Sequence, residues 1–365
     1  MLTTLLLVLT LIYALMIIAF TVGAAASRYP ADLQYRPRVS IIVAARNEED
    51  KIAACLDSLS ALTYPQNLLE IILVDDRSTD ATPAIVREHM ERCPHLRLVQ
   101  IGSETELRPG KMNAVTQGID ASTGEILLLT DADCRVPRGW VENTVKYYTD
   151  PRIGTVAGFT SLLGNDLFAR MQALDWFYLF SVAASTARMR FPVTAVGTNL
   201  SVRRTAYESV GGYRRIPFSV TEDYALFHAV TKGGFQARFP RDKNTLVETF
   251  PCASWKQLYR QKVRWFTGGR GMDVKSLLIF AFPYIFNLVI VISAILSELP
   301  QLYWALGVKL LVDLILFVPS LSTFKRISLL RSFLAFELYY YCYVLVFPPL
   351  VLFGKKVEWK ERTFT

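Results

Sequence analysis

The apolar positions fall into two regimes. From 5 to 26 the chain carries no charged residue, and further apolar stretches run through 277–296, 302–319 and 333–353. About 20 such residues suffice to cross a bilayer as a helix. Between these ends the pattern shortens to runs of a few apolar residues alternating with helical spacing. Val39–Ala45 reads as a buried strand, and 51–61 as a helix with Ile52, Cys55, Leu56 and Leu59 on one face. Strands follow at 71–74, 96–101 and 126–129, with helical patterns through Ile85 and Val86 and from Lys111 onward. Strand and helix in alternation predict a parallel α/β domain with ligands at the carboxyl ends of its strands.

The first apolar run ends in Ala24, Ala25 and Ala26, which resemble a signal-peptide cleavage site. No Lys or Arg precedes the run, however, whereas Arg28, Arg36 and Arg38 follow it. This charge order favours an uncleaved anchor, with the domain after it in the cytoplasm. The 302–319 stretch contains Lys309 and Asp313, four residues apart and so on one helical face. A charged pair there is costly in lipid unless it faces protein, an interface or its own partner. Three full crossings after the domain would put Lys355, Lys356, Lys360 and Arg362 outside, against the positive-inside tendency, so a cytoplasmic C-terminus is expected.

Composition sharpens the membrane reading: 52% of the 365 residues are hydrophobic. The net charge of +8 comes without a basic block or nucleic-acid motif. Basic residues gather beside the apolar stretches instead, as anionic headgroups would favour, so no nucleic-acid partner is expected. Five cysteines without paired metal-ligand spacing suggest reduced thiols.

The chemistry lies where the short apolar runs end. In LVDDRSTD, Asp75 and Asp76 sit at a strand exit, where carboxylates can accept the ring N–H of a base. Ser78 is a cap candidate for the next helix, with Thr79 and Asp80 as rivals. In TDADC, Asp131 and Asp133 follow an apolar strand, and in an extended segment their side chains would point the same way. Two such carboxylates suit Mg2+ or Mn2+, whose remaining positions phosphate and water can fill. The 255–266 segment, WKQLYRQKVRWF, reads as an amphipathic helix, with Trp255, Leu258, Tyr259 and Trp265 for contact and Lys256, Arg260, Lys262 and Arg264 for charge. A plain interface-lying helix would account for that pattern too.

Taken in order, VSIIVAARNEE, LVDDRSTD, GKMNA, TDADC, GTN, TED and QKVRW resemble the membrane-bound members of glycosyltransferase family 2 over residues 36 to 270. The resemblance implies a GT-A fold: an α/β, Rossmann-like nucleotide-diphospho-sugar transferase domain with a mixed sheet, flanked by N- and C-terminal transmembrane helices. It divides the chain into an anchor (1–27), a catalytic domain (36–254), an interface helix (255–276), a C-terminal membrane region (277–353) and a basic tail (354–365). Asp75 and Asp76 then match the pair that contacts uracil and ribose, with Glu48 nearby, and Lys111 matches the lysine that approaches the donor. Asp131 and Asp133 match the metal-diphosphate motif, Asp133 as the direct ligand. Asp223 matches the general base, and Gln261, Arg264 and Trp265 the Gln-x-x-Arg-Trp motif on the acceptor side. Gly197, Thr198 and Asn199 are candidates to line the acceptor entrance, with a plain turn as the alternative for Gly197.

One base without a covalent nucleophile implies single displacement and inversion at the anomeric carbon. The expected enzyme is a hexosyltransferase of the inner membrane, its catalytic domain facing the cytoplasm. It would use Mg2+ or Mn2+ to move a sugar from a UDP-sugar to a lipid-like acceptor. A processive polysaccharide synthase is the nearest alternative, since it shares Gln-x-x-Arg-Trp but needs a channel. A non-catalytic membrane protein that keeps the fold is a second alternative, against which the intact acidic motifs weigh.

Overall fold

A computed structural model describes residues 2–102, 110–269, 272–296, 299–353, 357–359 and 362–364. Lys355, Lys356 and Lys360 of the expected basic tail lie outside the described residues. The chain forms two compact units: Ser27–Leu163 with Arg190–Phe250, and Met1–Ala26 with Gly164–Met189 and Pro251–Thr365.

The first is the α/β unit. Its strands are β1 (Val39–Ala45), β2 (Leu69–Asp75), β3 (Leu96–Gln100), β4 (Ile126–Asp131), β5 (Ile153–Ala157), β6 (Thr160–Leu162), β7 (Leu200–Arg203), β8 (Gln236–Arg238) and β9 (Val247–Thr249). Seven form one sheet in the order β3-β2-β1-β4-β7-β5-β8, while β6 and β9 pair apart from it. β1 through β4 run parallel, and β7 is antiparallel to both β4 and β5. The sheet is therefore mixed, and strand order reverses between β1 and β4, where open sheets leave a crevice.

Both faces of the central strands are covered, which explains their unbroken apolar runs. On one side Ile41, Val43, Ile71, Leu73 and Leu128 pack with Ile52, Leu56 and Leu59 in a single core. On the other, the Lys111–Asp120 helix lies on β1 and β2. A β-carbon at Gly118 would come within 2.6 Å of Ile42 and 2.9 Å of Val74, so this helix approaches the sheet at a distance that only glycine permits. That close seat sets where Lys111, its first residue, emerges.

The second unit is helical apart from a short C-terminal strand pair. Among the described residues four of its helices are long and apolar enough to cross a membrane: Leu2–Ala25, Val274–Ile295, Pro300–Thr323 and Ile327–Val346. Lys309 is buried, its ammonium 2.8 Å from Asp313 and 2.5 Å from Glu337, and the Tyr13 hydroxyl donates to Asp313 at 2.7 Å. The pair inside 302–319 thus faces protein and gains a third charged member from the next helix.

Candidate active site

The carboxyl ends of β1, β2 and β4 hold the acidic motifs. Register puts Ala45 beside Asp75 and Ala44 beside Asp131, so both acidic motifs emerge next to the end of β1. Asp75 and Asp76 are buried. Asp75 accepts from the Ser78 backbone N–H at 3.1 Å and from Gln100 Nε2 at 3.3 Å, while Arg77 Nε lies 3.4 Å from Asp76.

Loops after β1 and β2 are laced together. Asn47 and Arg77 both adopt positive φ, a costly geometry for residues with a β-carbon, and cross-loop bonds hold it. The Asn47 N–H donates to Ser78 Oγ at 3.0 Å, and Asn47 Oδ1 accepts from the Thr79 N–H at 2.9 Å. Ser78 therefore serves this lacing and does not cap the Thr82–Arg92 helix. Asp80, its rival, accepts from the Thr82 N–H at 3.0 Å. Glu48 is tied into the same framework, its N–H donating to Thr82 Oγ1 at 2.8 Å.

Asp131 ends β4, but the residues after it turn: the Cys134 N–H donates to the Asp131 carbonyl at 3.0 Å. The extended geometry expected for Asp131 to Asp133 is thus replaced by a turn, pinned by backbone bonds between Arg135 and Glu248 of 2.7 and 2.9 Å. The two carboxylates stay neighbours. Burial pushes the Cys55 thiol up, and the negative charges of Asp133, Asp131 and Glu48 add to it. Among the described residues no set of three His, Cys, Asp or Glu is arranged as a closed metal site. Two partly exposed carboxylates instead fit a hard cation that takes most of its oxygens from phosphate and water.

Lys111 joins this cluster to TED. Its ammonium lies 2.6 Å from Asp131 and 2.8 Å from Glu222. Burial alone would depress it, but Asp131, Glu222 and Asp223 hold it well above the usual lysine range. Glu222 and Asp223 open the Glu222–Lys232 helix, where unpaired N–H groups favour negative charge. Asp223 accepts from the Gly197 N–H at 2.5 Å and from the Tyr224 N–H at 2.8 Å. Burial and the adjacent Glu222 push its carboxyl up to about 6, against the pull of Lys111. A carboxylate poised there can take a proton near neutral pH.

Two residues of this cluster carry no expectation from the sequence. Glu222 had its signal in standing next to Asp223. Lys51, 3.7 Å from Asp133, had none beyond its place after the β1 loop. Thr198 and Asn199 are buried, and Asn199 spends its side chain on Trp140 Nε1, Phe159 O and Thr245 O at 2.9, 2.9 and 2.7 Å. These bonds give Asn199 a structural role.

Gln261, Arg264 and Trp265 belong to the helical unit, on the Trp255–Gly268 helix. Lys262, which the amphipathic pattern counts among its charged positions, is buried there. Its ammonium bonds to Asp175, which also accepts from the Tyr339 hydroxyl at 3.2 Å. It also lies 4.6 Å from the Trp265 ring and 4.7 Å from that of Tyr343. The Gln261 side-chain oxygen is buried and meets no hydrogen-bond partner among the described residues.

The family model for glycosyl transferase family 2 matches residues 40–211, and that for glycosyl transferase family group 2 matches 126–354. The chain is 26% identical to a probable glycosyltransferase, YdaM, of Bacillus subtilis (strain 168), covering 92% of this chain and 86% of that protein. It is 29% identical to a beta-monoglucosyldiacylglycerol synthase of Synechocystis sp. (strain ATCC 27184 / PCC 6803 / Kazusa), over 64% of this chain and 48% of that one. It is 23% identical to a poly-beta-1,6-N-acetyl-D-glucosamine synthase of Staphylococcus epidermidis, over 63% and 54%. The aligned region thus spans about half the length of these two synthases. In fold it is similar to the mannosyltransferase PcManGT from Pyrobaculum calidifontis, solved with GDP-Man and Mn2+, with a TM-score of 0.59 at 22% identity over 93% of this chain and 99% of that one.

Proposed function

The chain belongs to the family 2 group of glycosyl transferases and acts on nucleotide sugars, and from that premise we propose an inverting hexosyltransferase that glycosylates a lipid-like acceptor at the membrane. The carrying observation is the chain of contacts from Asp131 through Lys111 to Glu222, with Asp223 held beside it by Gly197. It puts a cation between a carboxylate suited to a metal-bound diphosphate and Glu222, whose sequence neighbour Asp223 has a pKa that suits a base.

In this reading Asp75 and Asp76 bind the nucleoside, UDP in the first instance, with Glu48 at the neighbouring loop. Asp131 and Asp133 would hold Mg2+ or Mn2+, which supplies charge neutralisation for the diphosphate. Asp223 removes the acceptor hydroxyl proton as that oxygen bonds to the anomeric carbon. The bond from that carbon to the diphosphate oxygen breaks on the opposite face, giving inversion. Lys111 steadies the departing negative charge. Gln261, Arg264 and Trp265 are assigned to catalysis by their motif. The four apolar helices and the likeness to a monoglucosyldiacylglycerol synthase support a lipid acceptor. Arg28, Arg36 and Arg38 after the first helix support a cytoplasmic catalytic domain in the inner membrane.

The test is to incubate purified membranes with UDP-hexoses, with and without added lipid extract, and to follow UDP release and lipid products by mass spectrometry. Lipid-dependent UDP release and a singly glycosylated lipid are expected. A growing polymer without a glycolipid would establish the processive alternative, for which the likeness to poly-beta-1,6-N-acetyl-D-glucosamine synthase speaks.

A further inference from the structure

The helical unit contains a groove of about 660 Å3 between the Trp255–Gly268 helix and the last membrane-length helix. Trp255, Leu258 and Tyr259 line one side; Leu338, Cys342 and Val346 line the other. On the second helix the lining positions recur at three- and four-residue intervals and so share a face. Its one charged lining residue is Lys262, whose charge Asp175 already balances. A lone, unpaired peptide strand seated here would leave its backbone polar groups without partners, whereas hydrocarbon needs none.

We propose that this groove binds an acyl chain of the acceptor lipid. The inference rests on the lipid-acceptor reading above and adds the place where the acceptor is held. The choice of occupant follows from the walls. Leu338, Cys342 and Val346 lie on Ile327–Val346, a helix long and apolar enough to cross a membrane, so the groove is continuous with a surface apolar enough to sit among lipid tails. Leu338 and Val346 are left 70% and 52% exposed, an unfavourable state in water and an ordinary one against hydrocarbon. The opposite wall belongs to the helix that carries Gln261, Arg264 and Trp265. Leu258 precedes Gln261 by three residues, about 4.5 Å along the helix axis. A chain lodged here therefore runs beside the Gln-x-x-Arg-Trp motif, and its polar end is anchored close to that helix.

Photolabelling tests this on the full-length protein reconstituted in phosphatidylcholine vesicles containing a diacylglycerol with a diazirine in its acyl chain. Adducts are expected to concentrate severalfold at Tyr259, Leu338 and Cys342 over Leu277, Leu278 and Leu334, exposed apolar positions outside the groove. Leu338→Trp, which fills the groove, should cut the Tyr259 and Cys342 adducts severalfold, and Val346→Phe is the second variant should the first fail to fold. Equal labelling at all exposed apolar positions would overturn the proposal. So would groove labelling that appears only after removal of residues 354–365, since the chain's own tail would then be the occupant, or a Cys342 crosslink between two copies. Labelling needs no turnover, so a polymer product in the membrane assay would refute the lipid-acceptor reading independently of this result.

Discussion

The backbone N–H of Gly197 donates to Asp223 Oδ2 at 2.5 Å, and a β-carbon on that glycine would stand 3.0 Å from both Cβ and Oδ2 of the aspartate. The two residues are 26 positions apart, yet the first defines where the second can hold its carboxylate. Gly197→Ala should therefore shift Asp223 by a few tenths of an ångström and lower kcat by roughly tenfold or more, with little change in melting temperature. Steady-state kinetics beside a thermal melt would check this, and an unaltered kcat would show that the placement of Asp223 is unimportant.

The raised pKa of Asp223 predicts the shape of the pH profile. A base works only when ionised, so kcat/KM should fall on the acid side as Asp223 takes up a proton near pH 6, and level off above it. Asp223→Asn should lose about a hundredfold or more in rate while retaining donor binding. A flat profile between pH 5 and 7 in the wild type, or near-normal turnover by the variant, would remove Asp223 from the base role.

Lys111 separates carboxylates that would otherwise repel. Lys111→Met should destabilise the protein by roughly 2–3 kcal/mol, toward the lower end for breaking a buried ion pair because its side chain keeps 19% exposure. Adding Glu222→Gln removes one orphaned charge and should recover part of the loss. Melting temperatures of both single variants and the double decide it; strict additivity would mean that the pair is not coupled.

Chelation should stop transfer, and Mg2+ or Mn2+ should restore it, if Asp131 and Asp133 hold a metal-bound diphosphate. Asp133→Asn should raise the metal concentration needed for half-maximal rate. Full activity in excess chelator would leave the Asp-x-Asp turn with a purely structural role.

Within the helical unit, Lys309→Met leaves Asp313 and Glu337 buried without their cation. A loss of about 3–5 kcal/mol is expected. Replacing Lys309, Asp313 and Glu337 together by Met, Leu and Leu should cost far less. A triple variant that melts as low as the single one would argue that the cluster does more than satisfy its own charges.

Local pattern was sufficient for the strands at 39–45, 71–74 and 126–129, because a strand covered on both faces must be apolar at every position. It was sufficient also for the apolar helices, whose lengths match what a bilayer crossing requires, and the ordered acidic motifs were sufficient for the family. Tertiary structure alone decided the antiparallel course of β7, since a short apolar run carries no mark of direction. It alone decided that Glu222 meets Lys111, that Glu337 completes the Lys309–Asp313 pair, and that Lys262 turns inward to Asp175. Hydrophobic periodicity scores lysine as a surface residue because an unpaired ammonium is costly to bury. Whether a carboxylate waits for it across the fold depends on which distant segments pack together, and the spacing of apolar residues in one segment does not encode that.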